Sequence, residues 1–504
     1  MEKSFIFLIF LVLTHRSSMQ EDDNAYSKIP AGLKIGIGEA SYQTEGAWNI
    51  SNKGESIWDN FVHNVPWKID DQSNGDTASD SYYKYKDDVK LIKMLGLDYH
   101  RLSISWARVL PNGSADSINQ EGIQYYHNFI DELLANGIEP IVTIYHWDHP
   151  QVLEDMGGWM NESMATWFTE YAEVLYRELG PKVKVFVTIN EPQILCFQGY
   201  GGTLIAPGRN LGPAGAYTCG HNMLKAHAKA YRLYGEKYRS AQNGKLGIIS
   251  HCSGFLPETE GETLPSETAY QFRCGWISHA IFVGDYPQLM KSKVAEVSRN
   301  EGLSESRLPK FSPEWIRYIN GTADFFGLNH YSSYLVSFPT TTIQNDSFML
   351  DDSGVSIRSD PRWEAGSLKR FRIIPEGFGW LLRKIKSEYN NPPVYITENG
   401  LPDNGGLQDY QRIKYHYLYL KEVLRAVQRD GCNVQRYTFW SLLDHFEWNS
   451  GYRHTFGFIN VNMTSPGRER TPKLSFSWLQ NVMRTRQLQP PILPPSVNTT
   501  TNHQ

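Results

Sequence analysis

Cysteine is scarce in this sequence: Cys196, Cys219, Cys252, Cys274 and Cys432 are the five among 504 residues, and no Cys-x-x-Cys pair occurs. That spacing points to neither a zinc site nor a dithiol redox motif, whereas an exported chain could close one or two disulfides and leave at least one thiol over. The sequence leaves the pairing open. One-signed charge is also missing. Lys and Arg total 49 against 54 Asp and Glu, a formal net charge of -5 without a long block of either sign, so no nucleic-acid partner is expected. Beyond the amino terminus no run reaches the roughly 18 consecutive apolar residues that a membrane-spanning helix needs. Repeats and linkers are lacking too. Composition shifts only after Gln487, where "LQPPILPPSVNTTTNHQ" reads as a Pro-rich, disordered tail over 488–504.

What the chain has in quantity is aromatic surface, with 14 Trp, 29 Tyr and 23 Phe. Flat apolar faces with polar edges suit sugar rings. Residues 5–13 form an apolar run after Lys3, too short to span a bilayer, and residues 1–19 read as a signal peptide. Seven Asn-x-Ser/Thr sequons, at Asn49, Asn112, Asn161, Asn320, Asn345, Asn462 and Asn498, agree with export and a glycosylated surface. The expected location is secreted, extracellular or luminal.

Eight β-branched or apolar runs, at 33–38, 99–105, 141–146, 183–190, 246–250, 325–331, 394–397 and 434–441, alternate with helical patterns. Tyr126, Phe129, Ile130, Leu133 and Leu134 follow the helical period and stop at Gly137. Phe168 to Leu179 repeats it before Gly180, and a third helix is expected over 410–428. This alternation predicts an α/β fold, a (β/α)8 barrel in one domain over 20–487 with long βα loops. An open, doubly wound sheet is the alternative.

Two of the strands end alike. "VKVFVTINEP" carries Glu191 and "PVYITENG" carries Glu398 at the carboxyl end of a β-branched run, although Glu is depleted in strands and costly to bury. Pro192 and Asn399-Gly400 terminate the two runs. In a barrel these ends converge on one mouth, so residues far apart in sequence would face each other. Two opposed carboxyls suit cleavage of a glycosidic bond, one protonating the leaving oxygen and the other acting at the anomeric carbon. A separation of roughly 5 Å gives retention and roughly 6.5–9.5 Å inversion, and the sequence does not report it. Two structural ion pairs are the bland alternative.

At these residues the chain resembles the family 1 glycoside hydrolases, whose signatures are Thr-x-Asn-Glu-Pro and Ile/Val-Thr-Glu-Asn-Gly. The resemblance spans residues 33–478 and includes "ASYQTEGAWN", "KGESIWD", "SNGDTASDSYYKY", "YHRLSISWARVLPNG", "YHWDHP", "FFGLNHYSS", "WSLLDHFEW" and "RTPKLSFSW". It is most similar to secreted animal members, above all insect β-glucosidases and their thioglucosidase (myrosinase) relatives. The resemblance implies a (β/α)8 fold, retention, a small glycoside substrate and no cofactor or metal. It leaves a homodimer open. Carried over by motif, Glu191 is the acid/base and Glu398 the nucleophile. Gln43, His146, Asn190, Trp440, Glu447 and Trp448 form the sugar pocket, with Asn329 and Tyr331 near the nucleophile. Arg101 and Tyr331 are expected to hold Glu398 ionised while Glu191 keeps its proton.

By position alone His146, Trp440 and Trp448 read as core, Gln43 and Glu447 as solvated loop residues, and Arg101 as a structural ion-pair partner. Motif context moves them to the site. Gly36-Ile-Gly38 lacks the third glycine of a dinucleotide motif, and the His146/His149 pair lacks further ligands for a metal. Four positions depart from the family pattern: Arg436, His445, Thr455 and Asn462. The expected activity is β-D-glucoside hydrolysis, with thioglucosidase as the close variant and a silent sugar-binding or co-receptor module as the rival. Both glutamates are present, which disfavours the silent module, and Glu191 favours O-glycosides over S-glycosides. Glu447 would repel the 6-phosphate of a phosphoglycoside.

Overall fold

A computed structural model describes residues 26–339 and 352–491. The expected leader, Asn345 and Asn498 lie outside them. Eight parallel strands close a barrel in sequence order: β1 Lys34–Gly38, β2 Tyr99–Ser103, β3 Glu139–Tyr145, β4 Val185–Asn190, β5 Lys245–His251, β6 Phe326–Asn329, β7 Val394–Asn399 and β8 Val434–Trp440. All eight runs expected from the sequence are these strands. Closure is direct, since β1 pairs with both β2 and β8, placing Gly38 beside Arg101 and beside Trp440. The open-sheet alternative is thereby excluded.

The helices form where the apolar period dictates. Gln120–Ala135 buries Ile123, Tyr126, Phe129, Ile130 and Leu133, and Gly137, at φ +75°, reverses the chain where a side chain would be strained. Met164–Leu179 and Tyr410–Gln428 likewise bury one face. Together with the outward faces of the strands they make one continuous apolar core. The expected tail is shorter than 488–504, because Leu488 is buried and its N–H donates to the Ser27 carbonyl at 2.7 Å.

The barrel interior changes character along its axis. Toward the amino ends of the strands it is filled by Tyr99, Ile141, Val185, Val187, Ile249, Phe325 and Tyr395. Arg436 lies in this layer, 5.1 Å from the ring centres of both Tyr99 and Tyr395 and paired with Glu139 at 2.8 Å. Toward the carboxyl ends the interior is polar. Arg101 Nε donates to Thr143 at 2.9 Å, and Thr397 donates to Asn329 at 2.7 Å. Strand pairing slips near both acidic ends, between Val187 and Asn190 on β4 and between Ile396 and Glu398 on β7, irregularities of the kind that re-aim side chains.

Candidate active site

Just past β4, Glu191 takes a left-handed backbone, φ 42°, and its N–H donates to the Ile249 carbonyl at 3.0 Å. Its carboxylate turns into a cavity of about 370 Å³ at the carboxyl ends of the strands, which Glu398 on β7 also lines. The walls include seven more of the residues singled out from the sequence: Gln43, His146, Asn190, Tyr331, Trp440, Glu447 and Trp448. Arg101 and Asn329, fully buried, stand one layer behind.

The carboxylates have different partners. Glu398 is 4% exposed; its Oε1 accepts from Arg101 Nη1 at 2.5 Å and its Oε2 from the Tyr331 hydroxyl at 2.5 Å. Glu191 accepts on Oε1 from Asn329 Nδ2 at 2.7 Å and lies 3.2 Å from His251 Nδ1. Asn329 lies beside Glu398 in the register of β6 and β7, as expected, and its side chain donates to Glu191. Burial pushes the Glu398 carboxyl up to about 7; Arg101 opposes the rise and the Glu191 charge adds to it. Arg101 and Tyr331 thus do not keep it in the ordinary carboxylate range. Both oxygens of Glu398 accept hydrogen bonds from these two side chains, which fixes the orientation of its carboxyl.

Arg101 also donates from Nη2 to Asn190 Oδ1 at 2.8 Å, and Asn329 donates to the same oxygen at 3.2 Å. These donors turn Asn190 Nδ2 toward His146 Nε2, 3.0 Å away. The imidazole is held neutral, because burial and then the Arg101 charge push it well below its ordinary range. With Nε2 accepting, its proton is on Nδ1, which is buried and unpartnered, as is Gln43 Oε1. Two buried polar atoms left open in one cavity ask for a hydroxylated ligand. Gln43 Nε2 donates to the Phe446 carbonyl at 3.0 Å and to Glu447 Oε2 at 3.2 Å, and His445 Nε2 lies 2.8 Å from that same oxygen. The indoles of Trp440 and Trp448 flank His146, with ring centres 6.2 and 5.7 Å from it.

Of the four departures from the family pattern, only His445 touches a cavity-lining residue. Arg436 lies at the far end of the barrel, Thr455 bonds Asp403, and Asn462 is exposed. Sequence reasoning missed His251, which ends β5 as Glu191 follows β4, so strand-end logic could have found it. It also missed Trp147, Phe255, Arg273, Tyr334 and Arg370, which line the same cavity; they sit on loops, two short strands and a π-helical turn outside the barrel strands, where no local pattern marks them. The cysteine pairs left open are Cys196–Cys219 and Cys252–Cys274, with Cys432 free and buried.

The family model described as glycosyl hydrolase family 1 matches residues 25–488. Myrosinase 1 of Brevicoryne brassicae is 46% identical over 462 residues, 91% of this chain and 99% of that protein. The cytosolic beta-glucosidase of Cavia porcellus is 39% identical, covering 92% of this chain and 99% of that protein. Among solved structures, an aphid myrosinase superposes with a TM-score of 0.88 at 44% identity, over 92% of this chain and all of that one.

Proposed function

Because the chain belongs to glycosyl hydrolase family 1, we propose that it hydrolyses β-D-glucosides by double displacement, with Glu398 as nucleophile and Glu191 as acid/base. The observation that carries this assignment is the unequal bonding of the two carboxylates. Glu398, with Arg101 and Tyr331 on its oxygens, presents a charge to the anomeric carbon. Glu191, whose Oε1 alone receives donors among the described residues, has Oε2 for a transferable proton. The first step forms a glycosyl ester on Glu398 as Glu191 protonates the departing oxygen; Glu191 then takes a proton from water as that water displaces the ester. Gln43, His146, Asn190 and Glu447 would bind the sugar hydroxyls, and an epimer would leave one of them unpaired.

A second reading, thioglucoside hydrolysis, is supported by the similarity to Myrosinase 1. Glu191 favours O-glycosides, whose leaving oxygen needs a proton. Glucose release from cellobiose, salicin, an aryl β-galactoside and a glucosinolate decides between them, and the anomer first released reports retention. Full turnover of an aryl β-glucoside by Glu398→Gln would remove the assigned nucleophile.

Export is part of the proposal, with 1–19 as leader. It is supported by two disulfides and by the exposure of Asn49, Asn112, Asn320 and Asn462. Among the described residues no helix is long and apolar enough to cross a membrane. A homodimer stays in the proposal as an assembly state, to be tested by light scattering.

A further inference from the structure

The outer half of the cavity holds a positive charge that the reaction above does not use. Arg273 lines the wall, half-buried, in a π-helical segment, Gln271–Gly275. Burial depresses its guanidinium below the ordinary range, and among the described residues only the Tyr334 phenol, no carboxylate, acts to offset that. A half-buried cation without a counter-charge is costly. Its position is nevertheless held firmly. Cys274, next in sequence, is bonded to Cys252, one residue past β5. Gln193, two residues past Glu191, donates to the Arg273 carbonyl at 3.4 Å. Phe197, in a second π-helical segment, Leu195–Gly201, packs 5.4 Å beneath the guanidinium, and that segment is pinned by Cys196–Cys219. π-Turns of this kind recur at functional sites.

A second arginine reaches the same place. Arg370, exposed, lies over Phe371 at 5.2 Å and lines the cavity. The charges of both arginines act on the Tyr334 phenol. Between them the wall is apolar, with Phe255, Tyr334 and Ile357 contributed by the three short strands Gly254–Pro257, Ser333–Ser337 and Ser356–Arg358.

We propose that this outer wall is an aglycone subsite for anionic leaving groups, in which Arg273, assisted by Arg370, binds a carboxylate or sulfonate/sulfate while Phe255, Tyr334 and Phe371 cover the apolar body. The proposal rests on the assignment of Glu191 and Glu398 to the sugar end of the cavity. A guanidinium offers paired donors to either oxyanion, and binding supplies the counter-charge that Arg273 lacks.

Equilibrium binding to the Glu398→Gln variant tests this without turnover. The ligands are 4-carboxyphenyl, 4-sulfophenyl and neutral 4-carbamoylphenyl β-D-glucosides, titrated by calorimetry at two salt concentrations. At least one anionic glucoside is expected to bind about ten-fold more tightly than the neutral one, less so at high salt. Whichever oxyanion gains more identifies the planar or the tetrahedral group. Adding Arg273→Gln should reduce that preference to within about two-fold, Arg273→Lys should restore part of it, and Arg370→Gln should lower it less. Affinity for the neutral glucoside reports that each variant is folded. Absence of an anionic preference, or one unchanged by Arg273→Gln and Arg370→Gln, overturns the subsite. Hydrolysis of the neutral glucoside by the unaltered protein reads the catalytic assignment separately.

Discussion

Asn329 Nδ2 donates to Glu191 Oε1 at 2.7 Å, while Asn329 Oδ1 accepts from Thr397, the neighbour of Glu398. One buried amide therefore links the two acidic strand ends and keeps Glu191 Oε1 an acceptor. The roles proposed for the two glutamates differ accordingly. Glu398→Gln is expected to lower kcat on aryl β-glucosides by on the order of 10⁴-fold or more. Glu191→Gln should cost roughly 10²–10⁴-fold on alkyl glucosides, yet spare dinitrophenyl glucoside, whose leaving group needs no proton. Steady-state rates on the two substrate classes check this.

The pH profile carries the signature of the nucleophile. Burial and the Glu191 charge raise Glu398 to about 7, so Glu398 holds a proton below that pH and loses it above. A nucleophile must be ionised, so kcat/KM should increase with pH toward about 7, approaching ten-fold per unit on the acid side. A flat profile between pH 5 and 7 would contradict the geometry.

Arg101 is the cation that limits this rise. Arg101→Met removes the partner of buried Glu398 and the donor to Asn190, so stability should fall by about 3–5 kcal/mol in urea denaturation. The acid limb should move to higher pH, since a positive charge that eased ionisation of Glu398 is gone.

His445 occupies a position where the family pattern has Asn, 2.8 Å from Glu447 Oε2. His445→Ala leaves Gln43 Nε2 as the donor on that oxygen, and the Glu447 carboxylate gains freedom to turn. The preference for an aryl β-glucoside over its β-galactoside epimer should drop by about five- to ten-fold, the worth of one ordinary hydrogen bond. Paired kcat/KM values measure it.

Replacing Cys252 and Cys274 together by Ser opens a loop with a sequence separation of 22 residues. The loss of chain restriction should destabilise the fold by about 3 kcal/mol. Comparing the urea midpoint of this variant with that of the unaltered protein, in the presence and absence of reductant, isolates the contribution.

The barrel was legible in the amino-acid sequence because burial imposes its period locally. Strands such as Glu139–Tyr145 carry an apolar, β-branched run buried on both faces, and helices such as Tyr410–Gln428 repeat an apolar face. Glu191 and Glu398 stood out because a carboxylate ending a β-branched run conflicts with ordinary strand chemistry. Tertiary closure decided what no local pattern encodes. It turned the Asn329 amide onto Glu191 as well as seating it beside Glu398, and it raised Glu398 by burial beyond what Arg101 and Tyr331 could offset. It also paired Cys196 with Cys219 and Cys252 with Cys274, and it set Arg273 beside Tyr334 with no carboxylate to offset it among the described residues. The reason is that ionisation and orientation depend on groups hundreds of residues apart, brought within bonding range only when β8 pairs with β1.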